Sequence, residues 1–325
     1  MTAKVMKSLD EYEQLLAPIR ECFAVSPGVQ AINSSSNDVF LESFLLHFCA
    51  LGSQMTEPVE RWIRRAAGRC AIMGHAELAN ALNGHAQAEA GHHLLMIADV
   101  TSLAARWNAR RKPAVDARKL LNQPSTPGVL QYCKVHEDNI TGDTPYGQIA
   151  IEYEIEMLPL RYGKLLLTRC VEMLGTEILP CLSFVTQHVY WDVGHTSFNA
   201  RVIAKLIDLG PSSMPALVSA GTAALNAYAQ FLGDCTELAD HDSRGSTVKY
   251  ARSLSLYRGT CAPLCRVGAI ARAARYPTGS RRSGRSAVPS FSTMADDEIS
   301  ELKRGSSLTP TQLTSMPTIS WHTMR

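Results

Sequence analysis

From Val39 to Ala239 apolar residues return every three or four positions, in runs long enough for several helical turns. The run VFLESFLLHFCALGSQ (39–54) is apolar on almost every side and predicts a buried helix. Thr56 is placed to cap the next helix, with Pro58 in its first turn, and that helix runs through EPVERWIRRAAGRCAIM toward Gly74. AELANALNGHAQAEAGHHLLMIADVTSLAARWNARR (76–111) predicts one long amphipathic helix interrupted by Gly84 and Gly91. Residues 112–144 read as loop-rich, with a short helix near KPAVDARKLLNQ and turns at QPSTPG and EDNITGDTPYG.

A second buried helix is expected from Gly147 through IAIEYEIEMLPLRYGKLLLTRCVEML, kinked at Pro159. Two more follow, one ending at Gly210 and one closing the body near residue 239. Ahead of them all, Leu9 to Phe23 predicts a helix and SPGVQAINSSSND a loop. No stretch alternates as a half-buried strand would, so the expected class is all-α, a bundle of about seven helices.

Charge divides the chain. Residues 1–240 carry 19 Lys and Arg against 25 Asp and Glu, whereas residues 241–325 carry 13 against 5. This shift sets the expected organisation: an N-terminal helix and loop (1–37), a helical domain (38–240) and a basic Ser/Arg-rich tail (241–325) without fixed structure. The tail lacks interleaved aromatic residues and any nucleic-acid motif, so no nucleic-acid partner is expected. No apolar run reaches the roughly 18 residues a membrane span needs. The nine cysteines are odd in number, contain no CxxC and sit in apolar surroundings, which fits free thiols. Cys261 and Cys265 have no second pair with which to hold zinc. The resulting expectation is a cytoplasmic protein with no membrane partner, free to form a homodimer.

The chemistry-bearing pattern is a spacing that occurs twice: histidine, a carboxylate four residues on, a histidine three further. It gives His85, Glu89 and His92 in one run and His188, Asp192 and His195 in another. On a helix such positions fall within about 60° of one another. Five of the ten histidines fall within 85–93 and 188–195, and burying two such triplets without a cation would be costly. Imidazole and carboxylate together suit iron, manganese or zinc. The apolar helix beyond Gly147 offers further carboxylates at Glu152, Glu154 and Glu156. Glu152 and Glu156 share a face, and Glu154 points away, toward the surface or an arginine such as Arg161. His47 and His75 have no carboxylate at ligand spacing and read as structural; His93 lies about 100° off the triplet face.

These residues resemble the heme-oxygenase-like diiron oxidases and oxygenases over roughly residues 38–235. The likeness rests on His188-x3-Asp192-x2-His195, on Glu89-x2-His92 followed by HLLMIADV, and on Tyr153 and Glu156 with Gly163 seven residues beyond. The resemblance implies a heme-oxygenase-like helical bundle. It implies two Fe(II) held by Glu89, His92, Glu156, His188, Asp192 and His195, with His85 and Glu152 as alternatives for the early and middle helices. O2 would be the co-substrate and a small amine, amino acid or fatty-acid-like molecule the substrate, undergoing N-oxygenation or oxidative C–C cleavage. A ferritin-like bundle completed by Glu42 or Glu60, a metal-free helical binding module, and a thiaminase-like enzyme with a nucleophilic Cys are the competing expectations.

Overall fold

The computed structural model describes residues 3–244, and these contain helices and turns but no strand. The expectations for the tail beyond 244, including that Cys261 and Cys265 hold no zinc, lie outside the described residues. Twelve α-helices are present among the described residues: α1 (Ala3–Ala24), α2 (Pro27–Ser34), α3 (Asp38–Thr56), α4 (Val59–Ile72), α5 (Ala76–Glu89), α6 (His93–Arg110), α7 (Ala117–Leu121), α8 (Pro127–Thr141), α9 (Gln148–Leu158), α10 (Lys164–Leu174), α11 (Ser183–Leu209) and α12 (Met214–Ser243). No helix among them is long and apolar enough to cross a membrane.

Two helices form the axis. Along α3 nearly every side chain from Phe40 to Met55 is buried, as its unbroken apolar run requires. It packs against α12, α6, α8 and α10; α12 in turn contacts α1, α2, α8 and α9. Asn37 caps α3, its side chain accepting from the backbone N–H of Val39 (3.0 Å) and Phe40 (3.2 Å).

The count exceeds seven for identifiable reasons. The segment read as a loop after Phe23 contains α2, begun by Ser26 and Pro27 and burying Val29 and Ile32. The segment read as loop-rich contains α8: Val129, Tyr132, Val135, His136 and Ile140 form its buried stripe, which the flanking Pro, Gly and Asp residues obscured. Thr56 does not cap α4; its hydroxyl donates back to the Gly52 carbonyl (2.9 Å). Pro159 introduces a π-helical turn (Pro159–Gly163) between α9 and α10. The long helix expected over 76–111 breaks at Ala90–His92, where Gly91 takes φ = +85°, a value that side chains disfavour.

Among the described residues, two buried charge networks and one part-buried contact lock the helices together. Glu42 of α3 is held by Arg106 and by Arg111 Nε (2.6 Å), and Arg111 also reaches Asp38 (2.8 Å). Arg20 of α1 grips Glu154 of α9 with two bonds (2.8 and 2.6 Å), joined by the Tyr12 hydroxyl (3.0 Å). Glu154 is therefore neither at the surface nor paired with Arg161: its side of α9 faces α1, which carries its own arginine. One turn further along α3, His47 Nε2 lies 2.9 Å from Asp242, which also accepts from Ser43 (2.6 Å).

Two tests follow from this packing. A Cβ on Gly128 would fall 2.4 Å from the backbone N of Phe231, so α8 and α12 can approach only through glycine. Gly128→Ala should lower stability by about 1–3 kcal/mol in urea denaturation, whereas Gly84→Ala, with open space around it, should not lower it. His136 is stacked under Trp62 (4.1 Å, 9°), and burial lowers its pKa to about 3. The unfolded imidazole takes up a proton as pH falls through about 6.5 and the folded one does not, so this group costs stability progressively from about 6.5 down to 3. His136→Phe should gain stability relative to the parent as pH is lowered from 7 to 4; parallel pH profiles would contradict the assignment.

Candidate metal centre

The second triplet lies on α11 as the spacing predicts, and its first turn is set by another helix. Asp99 of α6 accepts from the backbone N–H of Ser183 (2.9 Å) and Phe184 (2.8 Å) and from the Ser183 hydroxyl (2.7 Å). This cap fixes the register of α11 against α6 and carries His188 to His92, with His188 Nε2 3.2 Å from His92 Nδ1. His188 Nδ1 lies 2.7 Å from the Phe184 carbonyl, which can only accept. The proton is therefore on Nδ1, and Nε2 turns a bare lone pair into the site. Burial, and then His92, lower the His188 pKa to about 4, so the ring is neutral at pH 7.

The first triplet reaches the site by a different route from the one expected. His85 and Glu89 occupy the last turns of α5, and His92 follows the break at Gly91. The three still converge. Glu89 lies between two histidines, with Oε2 3.0 Å from His92 Nδ1 and Oε1 3.1 Å from His195 Nδ1. Glu156 Oε1 from α9 lies 2.9 Å from His85 Nε2 and 3.7 Å from His195 Nδ1. Asp192 is buried, with Oδ1 3.6 Å from His195 Nδ1. Glu152, one turn before Glu156, turns instead to Gln148, which donates to it at 2.5 Å and also contacts His136 Nδ1 at 2.8 Å. Burial raises the Glu152 pKa to about 8, so this acid is largely protonated at pH 7.

Among the described residues two groups of potential ligand atoms emerge, each within 4.8 Å: His85, Glu89, Glu156 and His195, and Glu89, His92 and His188. They share Glu89. Asp192 and Glu152 belong to neither group.

Apart from the His188–His92 pair, several of the close approaches are not aligned hydrogen bonds. His85 Nε2, Glu89 Oε1, Glu156 Oε1, both Asp192 oxygens and His195 Nδ1 are buried and lack an aligned partner. These atoms lie close together with no partner of their own, within 4.8 Å of one another in the His85, Glu89, Glu156 and His195 group. Without a cation the charges are balanced by protons. Against the cost of burial, Glu156 and then Glu89 hold His85 at about 9, and Asp192 and then Glu89 hold His195 at about 11. Burial raises the Glu156 carboxyl and lifts Asp192 to about 6, whereas His195 and His92 hold Glu89 low despite burial. The donor set, imidazole nitrogens and carboxylate oxygens whose buried lone pairs are unused, is one that divalent transition metals accept.

Sequence reasoning missed two contributors. Asn199, four residues past His195, continues the stripe of His188, Asp192 and His195, and its Nδ2 donates to Glu156 Oε2 at 2.6 Å. The Trp191 ring, 37% exposed, stacks on His92 (4.9 Å, 23°) and stands 5.6 Å from His188.

Comparison with known proteins agrees with the architecture. A domain of unknown function with a heme oxygenase-like fold from Shewanella denitrificans OS217 superposes with a TM-score of 0.57 at 15% identity, covering 73% of this chain and 95% of its own. A CADD-like protein of unknown function from Nostoc punctiforme PCC 73102 gives a TM-score of 0.52 at 14% identity, covering 73% and 99%. No protein-family model and no curated protein matches the sequence. The chain thus has a heme-oxygenase-like helical fold, with a buried His/Glu cluster able to hold metal at its centre.

The contact between Trp191 and His92 gives a direct readout. Anaerobic titration with Fe(II) or Co(II) should quench tryptophan fluorescence saturably, and Trp191→Phe should remove most of that change. An unchanged quench in the variant would place the ion elsewhere.

Proposed function

We propose that this chain is a non-heme diiron oxidase or oxygenase, which uses O2 to oxidise a small amine, amino acid or fatty-acid-like substrate. One observation carries the reading: two groups of convergent ligand atoms share the single carboxylate of Glu89, and in the group of His85, Glu89, Glu156 and His195 those atoms are buried without partners. Glu89, His92, Glu156, His188 and His195 would hold the metals. His85, the alternative on the early helix, joins them through its approach to Glu156. Asp192 would complete the set from its place one turn behind His195, with both oxygens unspent.

Iron at this position would supply the electrons and open coordination sites for reducing O2. The residues of the chain do the rest. His188 is held in one tautomer by the Phe184 carbonyl. Glu89 balances charge between the two histidine groups. The burial of Glu89, Glu156, His85 and Asp192 keeps bulk water from the reacting atoms. A small molecule is the expected substrate.

The competing readings meet specific obstacles. A ferritin-like site would need Glu42 or Glu60, but Glu42 is spent on Arg106 and Arg111, and Glu60 pairs with Arg64 at the surface (2.9 Å). A nucleophilic cysteine would need a lowered pKa, yet burial raises those of Cys49, Cys70, Cys133, Cys170, Cys181 and Cys235. A metal-free binding module leaves the convergent unpaired atoms without a purpose.

Anaerobic loading with Fe(II) should give close to two irons per chain, followed by a transient visible absorbance on mixing with O2. His188→Ala and His195→Ala should each abolish the absorbance, while His75→Ala, at the surface of the α4–α5 turn, should preserve it. Well under one iron per chain would contradict the proposal.

A further inference from the structure

We infer that Asn199 is a positioning residue that restricts Glu156 to a single ligand oxygen and thereby leaves the bridging role to Glu89. The inference rests on the diiron reading above and concerns how its two carboxylates divide their work.

Asn199 is fully buried, and its Nδ2 donates to Glu156 Oε2 at 2.6 Å. Its other polar atom, Oδ1, has no partner. The amide is thus not one link in a larger core network; its recorded bond is to the candidate ligand. Placed four residues after His195, it approaches from the same face of α11 that carries His188, Asp192 and His195. A side chain there need not be polar for packing, because a buried amide with an unpaired oxygen costs stability relative to an apolar residue of the same size.

The two oxygens of Glu156 therefore have different environments. Oε2 is tied to Asn199, while Oε1 is free of hydrogen bonds and faces His85 Nε2 at 2.9 Å and His195 Nδ1 at 3.7 Å. A carboxylate with one oxygen engaged this way presents the other to one ion and resists both chelation and bridging. Glu89 has the opposite arrangement, with Oε1 toward His195 and Oε2 toward His92, one oxygen in each ligand group. A neutral amide achieves this without altering the charge balance, which a lysine or arginine at the same position would upset.

Substitution of Asn199 by Leu keeps the volume and removes the donor. The test uses the full chain and Co(II) as probe, with titration monitored through the visible ligand-field bands and far-UV circular dichroism as a check on folding. Asn199→Leu is expected to bind Co(II) roughly 10–100-fold more weakly. The bands of the cobalt that does bind should change in position and intensity, as Glu156 becomes free to use both oxygens. Should the Leu variant fail to fold, Asn199→Ser, small and too short to reach Oε2, carries the same expectation. Co(II) affinity and bands equal to those of the parent would overturn the inference and leave Asn199 a packing residue. A parent protein that binds no Co(II) would overturn the metal reading, and this inference with it.

Discussion

The structure depends on one costly arrangement: three buried carboxylates gathered with three buried imidazoles and the half-buried His195 at the meeting of α5, α6, α9 and α11. Burying ionisable groups is unfavourable unless each finds a partner. Here most do not; their atoms crowd to within about 3–4 Å without aligning as donors and acceptors. Protons can satisfy the charges only by lifting His85 and His195 to about 9 and 11. Metal ions would use the same lone pairs directly and displace those protons. The surrounding fold can be understood as the scaffold that keeps these atoms from separating.

That scaffold works through fixed registers. Asp99 caps α11 and sets which of its residues faces His92. Arg20 and Tyr12 fasten the side of α9 opposite the metal face through Glu154, so that Glu152 and Glu156 turn inward. Arg106 and Arg111 neutralise Glu42, buried near the start of α3. The same device, a buried acid held from a different helix, recurs at each place, and each instance separates a structural carboxylate from a candidate ligand. Asn199 extends the device to the ligands themselves.

Much of this was legible in the residues. The α11 triplet needed only the 3.6-residue period and one uninterrupted helix, and it received both. The 85–92 triplet was found for a reason only partly correct. His85 and Glu89 share a helix, but His92 arrives after a break that the positive φ of Gly91 permits. A glycine inside a helical pattern records a weakness without showing the direction in which the chain turns. Glu154 was correctly separated from Glu152 and Glu156 by periodicity, yet its partner Arg20 lies 134 residues away, and no local rule connects them. Helix α8 was hidden because its ends are rich in turn-forming residues while its buried stripe sits between them. Asn199 was within reach, being the next step of a stripe already recognised, but an amide does not stand out among metal-type residues.

The most direct test of the central claim is the position of bound iron. Anomalous diffraction at the iron edge from crystals grown anaerobically with Fe(II) should show two peaks. One should lie among His85, Glu89, Glu156 and His195, the other among Glu89, His92 and His188, with Glu89 between them. No peak at these residues, or a single ion with the carboxylate of Glu89 turned away from it, would contradict the account.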